Sequence, residues 1–405
     1  MINRFRRLLP VLPAVVLASI CSLYSAGAKP LKVFILSGQS NMQGHAKIST
    51  FEHIGMDPKT APLLAGMQNE DGTPRVCEEV WISYLSANQE KNGPLTAGFG
   101  ADDTKIGPEF TFGITLHKLL DEPILIIKTA WGGKSLHTDF RPPGAGPYQF
   151  SEAQLENFAK RGQDVAQRRA EKIEATGHYY RLMIDHVKKV TGDIAKVVPG
   201  YDNSDGYELA GFVWFQGWND MVDSGTYPTR EKPGGYDDYT RVFTHFIRDV
   251  RKDLSAPNLP FVIGVLGVGG PVAEYGPSEK RYQTVHQNFR SAMAAPAELP
   301  EFKDQVAAVL TETYWDPQLR ELTGRDETLK QEAKKQQKAK GLNGKATAAI
   351  LTDLRTAEFT ETERAVLEIG ISNQAYHYLG SGKIMAGIGK GFAEAMAPLV
   401  TTAAD

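Results

Sequence analysis

The chain has 405 residues, of which 41% are hydrophobic and 23% are charged. This length and balance are typical of a folded protein with a sizeable core, and they exclude a disordered or fibrous chain. A formal net charge of −3 excludes nucleic acid as an expected partner.

The first 28 residues have the pattern of a cleavable signal peptide, with three arginines among the first seven residues, an apolar stretch and a run of small residues. A single membrane anchor is the alternative, although the apolar stretch is short for a bilayer span. We expect cleavage after Ala28 and a secreted or periplasmic protein without stable membrane association. Cleavage removes three arginines and no acidic residue, so the formal charge becomes −6 instead of −3.

Five apolar runs have the length of strands, and most are nearly continuous in Val, Ile, Leu and Phe. This composition favours strands buried on both faces, as in a parallel sheet covered by helices. The runs span residues 31–38, 123–133, 211–220, 260–270 and 305–314.

Segments with helical periodicity lie between these runs, at 109–120, 178–190 and 238–254. A final amphipathic helix follows His377 and carries its apolar residues between 384 and 396. Strands that alternate with helices predict an α/β fold. We expect a three-layer α/β/α sandwich, of the flavodoxin-like type, around a five-stranded, mainly parallel sheet.

The pattern predicts a single domain over residues 29–400 with two insertions. Residues 141–177 begin with a stretch rich in Pro and Gly and continue as a charged, helical segment. Residues 326–346 are rich in Lys, Gln and Ala, which is typical of a solvated helix or a mobile loop. In a parallel α/β sheet the ligand crevice lies outside the carboxyl ends of the strands, so polar residues at those ends are the candidates for function.

Three of the predicted strands end in residues that suit a serine nucleophile. Ser40 follows the first strand, Gly132 and Gly133 end the second, and Gln216 and Asn219 end the third. A nucleophilic serine needs an exposed oxygen and hydrogen-bond donors for the developing oxyanion. The two glycines can offer backbone N–H groups, and the two amide side chains can offer N–H donors.

A nucleophilic serine also needs a histidine base held in the right tautomer. His377 lies in the segment before the final predicted helix, from which it can return to the first strand. The alternative is that the polar residues simply terminate buried strands. Metal-ligand spacings of His and Cys are absent from the sequence, and its glycine-rich segments do not complete a nucleotide-binding motif, so we expect neither metal nor cofactor.

Four segments resemble, in the right order, the blocks of a known enzyme group. They are FILSGQSNMQG (34–44), IGPEFTFGITL (106–116), AWGGKSL (130–136) and WFQGWND (214–220). These are similar to blocks of the SGNH-type sialate O-acetylesterases and acetyl xylan esterases, which include carbohydrate esterase family 6.

The resemblance implies that Ser40 is the nucleophile and His377 its base. It also implies three oxyanion donors, namely the N–H of Ser40, that of Gly132 or Gly133, and the side chain of Gln216 or Asn219. We expect Gln39, Asn41, Trp218 and His45 to line the substrate pocket.

One residue departs from the family pattern, which has an Asp three residues before the histidine. This chain has Gln374 there. Loss of a triad Asp can cost about 10⁴ in rate. The third group could instead come from Asp316 or Glu312 near the fifth strand, or Gln374 or a backbone carbonyl could orient a Ser–His dyad.

The sequence therefore predicts an exported serine esterase that removes O-acetyl groups from sialic acid or from plant or algal polysaccharide through an acetyl-enzyme. Its partner would be an acetylated carbohydrate, with no nucleic acid. The alternative is a catalytically weak or inactive homologue that acts as a glycan-binding protein.

Overall fold

The structure is a computed structural model that describes residues 30–87, 90–277, 279–341 and 343–402. The predicted signal peptide, residues 1–28, lies outside the described residues. Among the helices of the described ranges, none combines the length and the apolar character needed to cross a membrane.

The described chain forms one large sheet and one small one. Its strands are β1 (Leu31–Gly38), β2 (Ala46–Lys47), β3 (Val80–Leu85), β4 (Glu90–Pro94), β5 (Lys105–Ile106), β6 (Ile124–Ala130), β7 (Tyr207–Phe215), β8 (Phe261–Val265) and β9 (Val306–Leu310). The large sheet has seven strands in the order β4-β3-β6-β1-β7-β8-β9, and β2 pairs with β5. Only β4 runs antiparallel in the large sheet.

The predicted α/β fold with a mainly parallel sheet is confirmed, but the large sheet has seven strands, whereas five were predicted. The five predicted runs correspond to β1, β6, β7, β8 and β9. The strand β3 was missed because its six residues lie between polar segments, and β4 has the sequence EKNGP, which disfavours strands. An edge strand tolerates this composition because one side of it needs no partner.

Helices connect the strands and cover the sheet. They are α1 (Ser40–Gln43), α2 (Phe51–Gly55), α3 (Ala61–Met67), α4 (Glu109–Leu120), α5 (Glu152–Lys160), α6 (Val165–Ala175), α7 (His178–Thr191), α8 (Trp218–Val222), α9 (Asp237–Asp253), α10 (Gln283–Ala294), α11 (Pro317–Lys340), α12 (Gly344–Glu358), α13 (Glu361–Gly370) and α14 (Gly382–Thr402). The predicted helices correspond to α4, α7, α9 and α14.

The helices form a layer on each face of the sheet. Helices α4 and α14 pack together on one face, whereas α7, α9 and α10 lie on the other. Trp214 packs on Phe246 of α9 with ring centroids 4.4 Å apart, while its neighbour Phe215 packs on Phe392 of α14 at 5.3 Å. Because successive side chains of a strand point to opposite faces, one apolar run fills both halves of the core.

The two regions predicted as insertions are helical. Residues 141–177 contain α5 and α6, neither of which buries a residue. Residues 326–346 belong to a longer excursion, α11–α13, which spans Pro317–Gly370. This excursion is anchored by buried apolar residues such as Leu319 and Val366.

The central strand β1 lies between β6 and β7, so the segments that follow these three strands meet. Gly38, the last residue of β1, is in register with Ala130 of β6 and Phe215 of β7. A Cβ on Gly38 would lie 2.1 Å from the carbonyl oxygen of Phe215. Only glycine permits this close approach.

A buried ion pair fixes the segment that follows β1. Lys128 of β6 contacts the Glu109 carboxylate at 2.7 Å, and both side chains are fully buried. Lys128 also donates to the carbonyl oxygens of Gln43 at 2.9 Å and Phe99 at 2.7 Å, and Glu109 accepts the N–H of Gly107 at 2.9 Å. The pair therefore joins β6, α4 and the end of α1.

Replacing Lys128 with Met would leave the Glu109 carboxylate buried without its countercharge. We expect Lys128→Met to lower the free energy of unfolding by about 3–5 kcal/mol, measured by urea denaturation. The double variant Lys128→Met/Glu109→Leu should lose less than the sum of the two single variants. As a control, Arg248→Met breaks the half-exposed pair with Glu301 and should cost about 1 kcal/mol or less. A loss as small as the control's would contradict the role of Lys128.

Candidate active site

Ser40 is the first residue of the short helix α1, directly after β1. It is 8% exposed, and its Oγ accepts a hydrogen bond from Gln39 Nε2 at 3.5 Å. Among the described residues, its backbone N–H has no hydrogen-bond acceptor. The turn thus presents a hydroxyl together with a free N–H group.

The side chain of Gln39 joins the ends of β1 and β7. Its Oε1 accepts hydrogen bonds from the N–H of Gly217 at 3.1 Å, the N–H of Asn219 at 3.4 Å and Nε2 of Gln216 at 3.2 Å. Gln39 is 1% exposed. The buried side chain of Gln39 therefore holds the start of α8 against the turn that bears Ser40.

The two amide candidates at the end of β7 differ in what their side chains do. Gln216 is 1% exposed, and its Nε2 lies within hydrogen-bond distance of Asp220 (2.6 Å), the Lys134 carbonyl (3.1 Å) and Gln39 (3.2 Å). The two N–H groups of this amide are therefore shared among three acceptors within the protein. Asn219 is half-buried, and in the described chain its side chain makes no hydrogen bond.

Asp220 organises this region, and the sequence analysis missed it. The carboxylate is fully buried and accepts hydrogen bonds from the N–H groups of Leu136 (2.8 Å) and His137 (3.0 Å) and from the hydroxyl of Tyr227 (3.2 Å), in addition to Gln216. The sequence offered a basis for predicting Asp220, because it directly follows Trp218 and Asn219, which were both assigned to the site. Asp220 fixes the loop after β6 against α8.

The two glycines after β6 have different positions. A Cβ on Gly132 would lie 3.8 Å from the Ser40 Cβ, so Gly132 lies next to the serine. Among the described residues its N–H has no acceptor. Gly133 has φ +75°, and a Cβ there would meet nothing within 4 Å. Gly133 makes the turn, and Gly132 faces the serine.

His377 lies in the segment 375–380, which packs against α1. Its Nδ1 is 3.0 Å from Asn373 Oδ1, and this oxygen also accepts the N–H of Gln374 at 2.8 Å. The backbone donor fixes the amide with its oxygen toward the ring, so Nδ1 carries the proton and Nε2 has a free lone pair. Within the described chain His377 makes no hydrogen bond to Ser40.

The acids considered from the sequence lie elsewhere. Asp316 caps α11 by accepting the N–H of Leu319 at 2.7 Å, and it pairs with Lys383 at 2.6 Å. Glu312 pairs with an arginine of α10. The Gln374 side chain is exposed, and only its backbone takes part in the turn. The structure places Asn373, a residue the sequence analysis did not single out, against His377.

The backbone after His377 adopts an unusual conformation. Tyr378 and Leu379 have φ values of 53° and 60°. Such left-handed residues cost about 1–2 kcal/mol each. The fully buried Tyr378 compensates, because its hydroxyl accepts the Gly267 N–H at 2.8 Å and bonds Thr311 at 2.6 Å. A buried anchor thus holds the residue next to the histidine.

His45 stacks on His377, with ring centroids 4.0 Å apart and an angle of 2° between planes. Burial lowers the pKa of His377 to about 4, and the positive charge of Lys105 adds to this effect. Burial likewise lowers the pKa of His45 to about 4, together with the charges of His377 and Lys105. Both rings are therefore neutral at pH 7.

The remaining predicted pocket residues flank this arrangement. Asn41 is 2% exposed, and its amide has no partner in the described chain. Trp218 is half-buried and lies 5.6 Å from the ring of Tyr376, which is 4.5 Å from the ring of His377. In the part of the chain that the structure describes, His, Cys, Asp and Glu side chains form no group that could hold a metal ion.

Ser40 and two free backbone N–H groups thus lie just beyond the ends of neighbouring parallel strands, and the segment that bears His377 packs against the short helix that begins with Ser40. A model of one family, described as carbohydrate esterase, sialic acid-specific acetylesterase, matches residues 30–307. The chain belongs to this family, and the resemblance drawn from its motifs is confirmed.

Three solved structures are similar to the chain. A protein from Arabidopsis thaliana, AT4G34215, is 18% identical, with a TM-score of 0.36 over 70% of this chain and 86% of that one. XAC1771, described as a novel carbohydrate acetylesterase from Xanthomonas citri, is 14% identical, with a TM-score of 0.36 over 68% and 49%. NanS is 13% identical, with a TM-score of 0.34 over 69% and 78%. None of the curated proteins matches the chain.

Asn373→Asp would place a carboxylate against His377 without changing the shape of the side chain. A charge this close raises a histidine pKa by about 1–3 units. The acid limb of kcat/KM should lie near pH 4 in the natural protein and move upward by about 1–3 pH units in the variant. Asn373→Ala should lower kcat about tenfold or more, since the base loses its orientation. An unmoved acid limb in Asn373→Asp would contradict the contact.

Asp316→Ala tests the predicted alternative to Asn373. The variant loses the cap of α11 and a partner of Lys383. We expect the free energy of unfolding to fall by about 1–3 kcal/mol in urea denaturation, while kcat/KM for p-nitrophenyl acetate stays within twofold. A large loss of kcat at unchanged pH optimum would instead assign Asp316 to the catalytic group.

Proposed function

We propose that this protein is an exported serine esterase that removes O-acetyl groups from carbohydrate through an acetyl-enzyme intermediate. One observation carries the proposal: Asn373 holds His377 in the tautomer with a free Nε2, in a segment packed against the helix that begins with Ser40. Membership of a carbohydrate esterase family supports the substrate class. Export is proposed from the N-terminal sequence alone.

Ser40 Oγ attacks the acetyl carbonyl carbon, and its proton passes to His377 Nε2. The protonated His377 then gives this proton to the sugar oxygen as the ester C–O bond breaks, which releases the deacetylated sugar. Water repeats the sequence on the acetyl-enzyme and releases acetate. A serine–histidine hydrogen bond of this kind is often long until the substrate is bound.

The oxyanion of each tetrahedral intermediate needs donors that are not already engaged. The N–H groups of Ser40 and Gly132 meet this condition in the described chain, and so does the side chain of Asn219. Gln216 does not, since its amide hydrogens are occupied. We therefore assign the third donor to Asn219 and give Gln216 a positioning role.

Asn373 supports the base differently from a carboxylate. It selects the correct tautomer, but it contributes no negative charge to stabilise the imidazolium formed after proton transfer. With a pKa of about 4, His377 stays unprotonated well below pH 7 and is a weaker base than an ordinary histidine. We infer an esterase that tolerates acid and works more slowly than one with a complete triad.

Ser40→Ala removes the attacking oxygen. We expect deacetylation of p-nitrophenyl acetate and of acetylated xylo-oligosaccharide to fall about 10³-fold or more, measured as acetate release. Labelling by a fluorophosphonate probe, which reacts with an activated serine, should disappear in Ser40→Ala and in His377→Ala.

The matched control is Ser204→Ala, which changes an exposed serine in the turn before β7, at the opposite end of the sheet. Its activity and labelling should equal those of the natural protein. Deacetylation that persists in Ser40→Ala would overturn the proposed site. Glycan binding without labelling or turnover in the natural protein would favour a glycan-binding protein instead.

A further inference from the structure

Two aromatic side chains from different parts of the chain lie together beside His377. Trp218 begins α8, and Tyr376 directly precedes the histidine. Their ring centroids are 5.6 Å apart with 36° between planes, and Tyr376 is 41% exposed. Clustered aromatic rings that stay accessible to solvent mark binding surfaces, and their faces suit the C–H faces of pyranose rings.

A groove begins at the same segment. It has a volume of about 1460 Å³, and residues 373–375 form part of its lining. Its other walls come from α11, α13 and residues near the loop 269–277. Pockets for a single small molecule usually measure about 300–1,000 Å³. The groove therefore has room for several sugar units next to the aromatic pair.

The charges of the groove compensate one another. Its lining contains five lysine or arginine side chains and six acidic ones. Three of the four arginines form ion pairs with acids, namely Arg320–Glu274 at 3.0 Å, Arg325–Glu363 at 2.6 Å and Arg355–Asp326 at 2.6 Å. The fourth, Arg364, donates to the Thr356 carbonyl at 3.4 Å, and the lining as a whole holds one more acidic side chain than basic ones. A surface of this kind offers hydrogen bonds without a positive field that would attract an anionic polymer.

The lysine whose charge acts on the histidine is also compensated. Lys105, whose charge acts on His377, pairs with Asp102 at 2.6 Å. A carboxylated sugar would therefore find the charge of Lys105 already compensated.

We propose that Trp218 and Tyr376 form a stacking platform for the acetylated sugar, and that this sugar is one unit of an uncharged pyranose chain whose neighbouring units occupy the groove. This inference rests on the proposed esterase function. It assigns to the same site a substrate class, a neutral acetylated oligosaccharide or polysaccharide, and it disfavours O-acetylated sialic acid.

The platform is tested with Trp218→Ala and Tyr376→Ala on two substrates, acetylated xylotetraose and p-nitrophenyl acetate. The ratio of kcat/KM for the oligosaccharide to kcat/KM for the aryl ester should fall at least tenfold in each variant, mainly through KM. Tyr207→Ala is the control, because Tyr207 is 42% exposed and begins β7 at the other end of the sheet. It should leave the ratio within twofold. A ratio that stays within twofold in Tyr376→Ala, whose side chain is exposed and not needed for the core, would overturn the platform.

The length and the charge of the sugar chain are tested with the natural protein. Its kcat/KM should rise at least tenfold from acetylated xylose to acetylated xylotetraose, and xylotetraose should exceed 9-O-acetylated sialic acid by at least tenfold. Equal values for the two chain lengths, or a preference for the sialic acid, would overturn the inference. Ser40→Ala distinguishes a failure of this inference from a failure of the proposed function. If the variant abolishes all turnover but the natural protein does not show these ratios, the proposed esterase function is retained and only the substrate class is rejected.

Discussion

The buried ion pair between Lys128 and Glu109 is the contact on which the geometry of the site depends. A charge with no access to water must be surrounded by oxygen atoms, and Lys128 collects its oxygens from α4, from the end of α1 and from the loop at Phe99. Satisfying one ammonium group therefore brings three separate segments to the end of β6. The serine turn lies within this assembly, so its position is set by the core and not by its own four-residue helix.

His377 is held in place by uncharged groups, unlike the serine turn, which depends on a buried ion pair. The family pattern uses a carboxylate, which both orients the ring and stabilises its charge. Here only the first task is performed, since Asn373 orients His377 but carries no charge, and the neutral ring of His45 stacks on it. Two left-handed residues follow, and the buried Tyr378 hydroxyl restrains them. The ring of His377 is thus held in a fixed orientation, in surroundings that disfavour its protonated form.

Much of this arrangement could be predicted, because parallel topology brings consecutive strand ends together. The observed bounds of β1 and α4 coincide with the predicted runs 31–38 and 109–120, since a continuous apolar run marks a buried strand and helical spacing of apolar residues marks a helix packed on the core. The partner of His377 could not be predicted. A shift of one residue, from position 374 to 373, depends on a tight turn whose dihedral angles leave no periodic signal. The choice between Gln216 and Asn219 likewise needed the acceptors around each amide, which come from residues far apart in the sequence.

Asp220 has a consequence for how this protein can change. It holds the backbone at Leu136 and His137 from inside the protein, and the surface excursion 141–177 begins only a few residues later. Because the carboxylate isolates the loop that bears Gly132 from whatever follows, that excursion can be lengthened, shortened or exchanged without moving the glycine. The loop that bears Gly132 is therefore constrained, while the excursion 141–177 is free to diverge. Under the proposed function, this separation lets related chains differ in the glycans they bind and still share the same acyl-transfer chemistry.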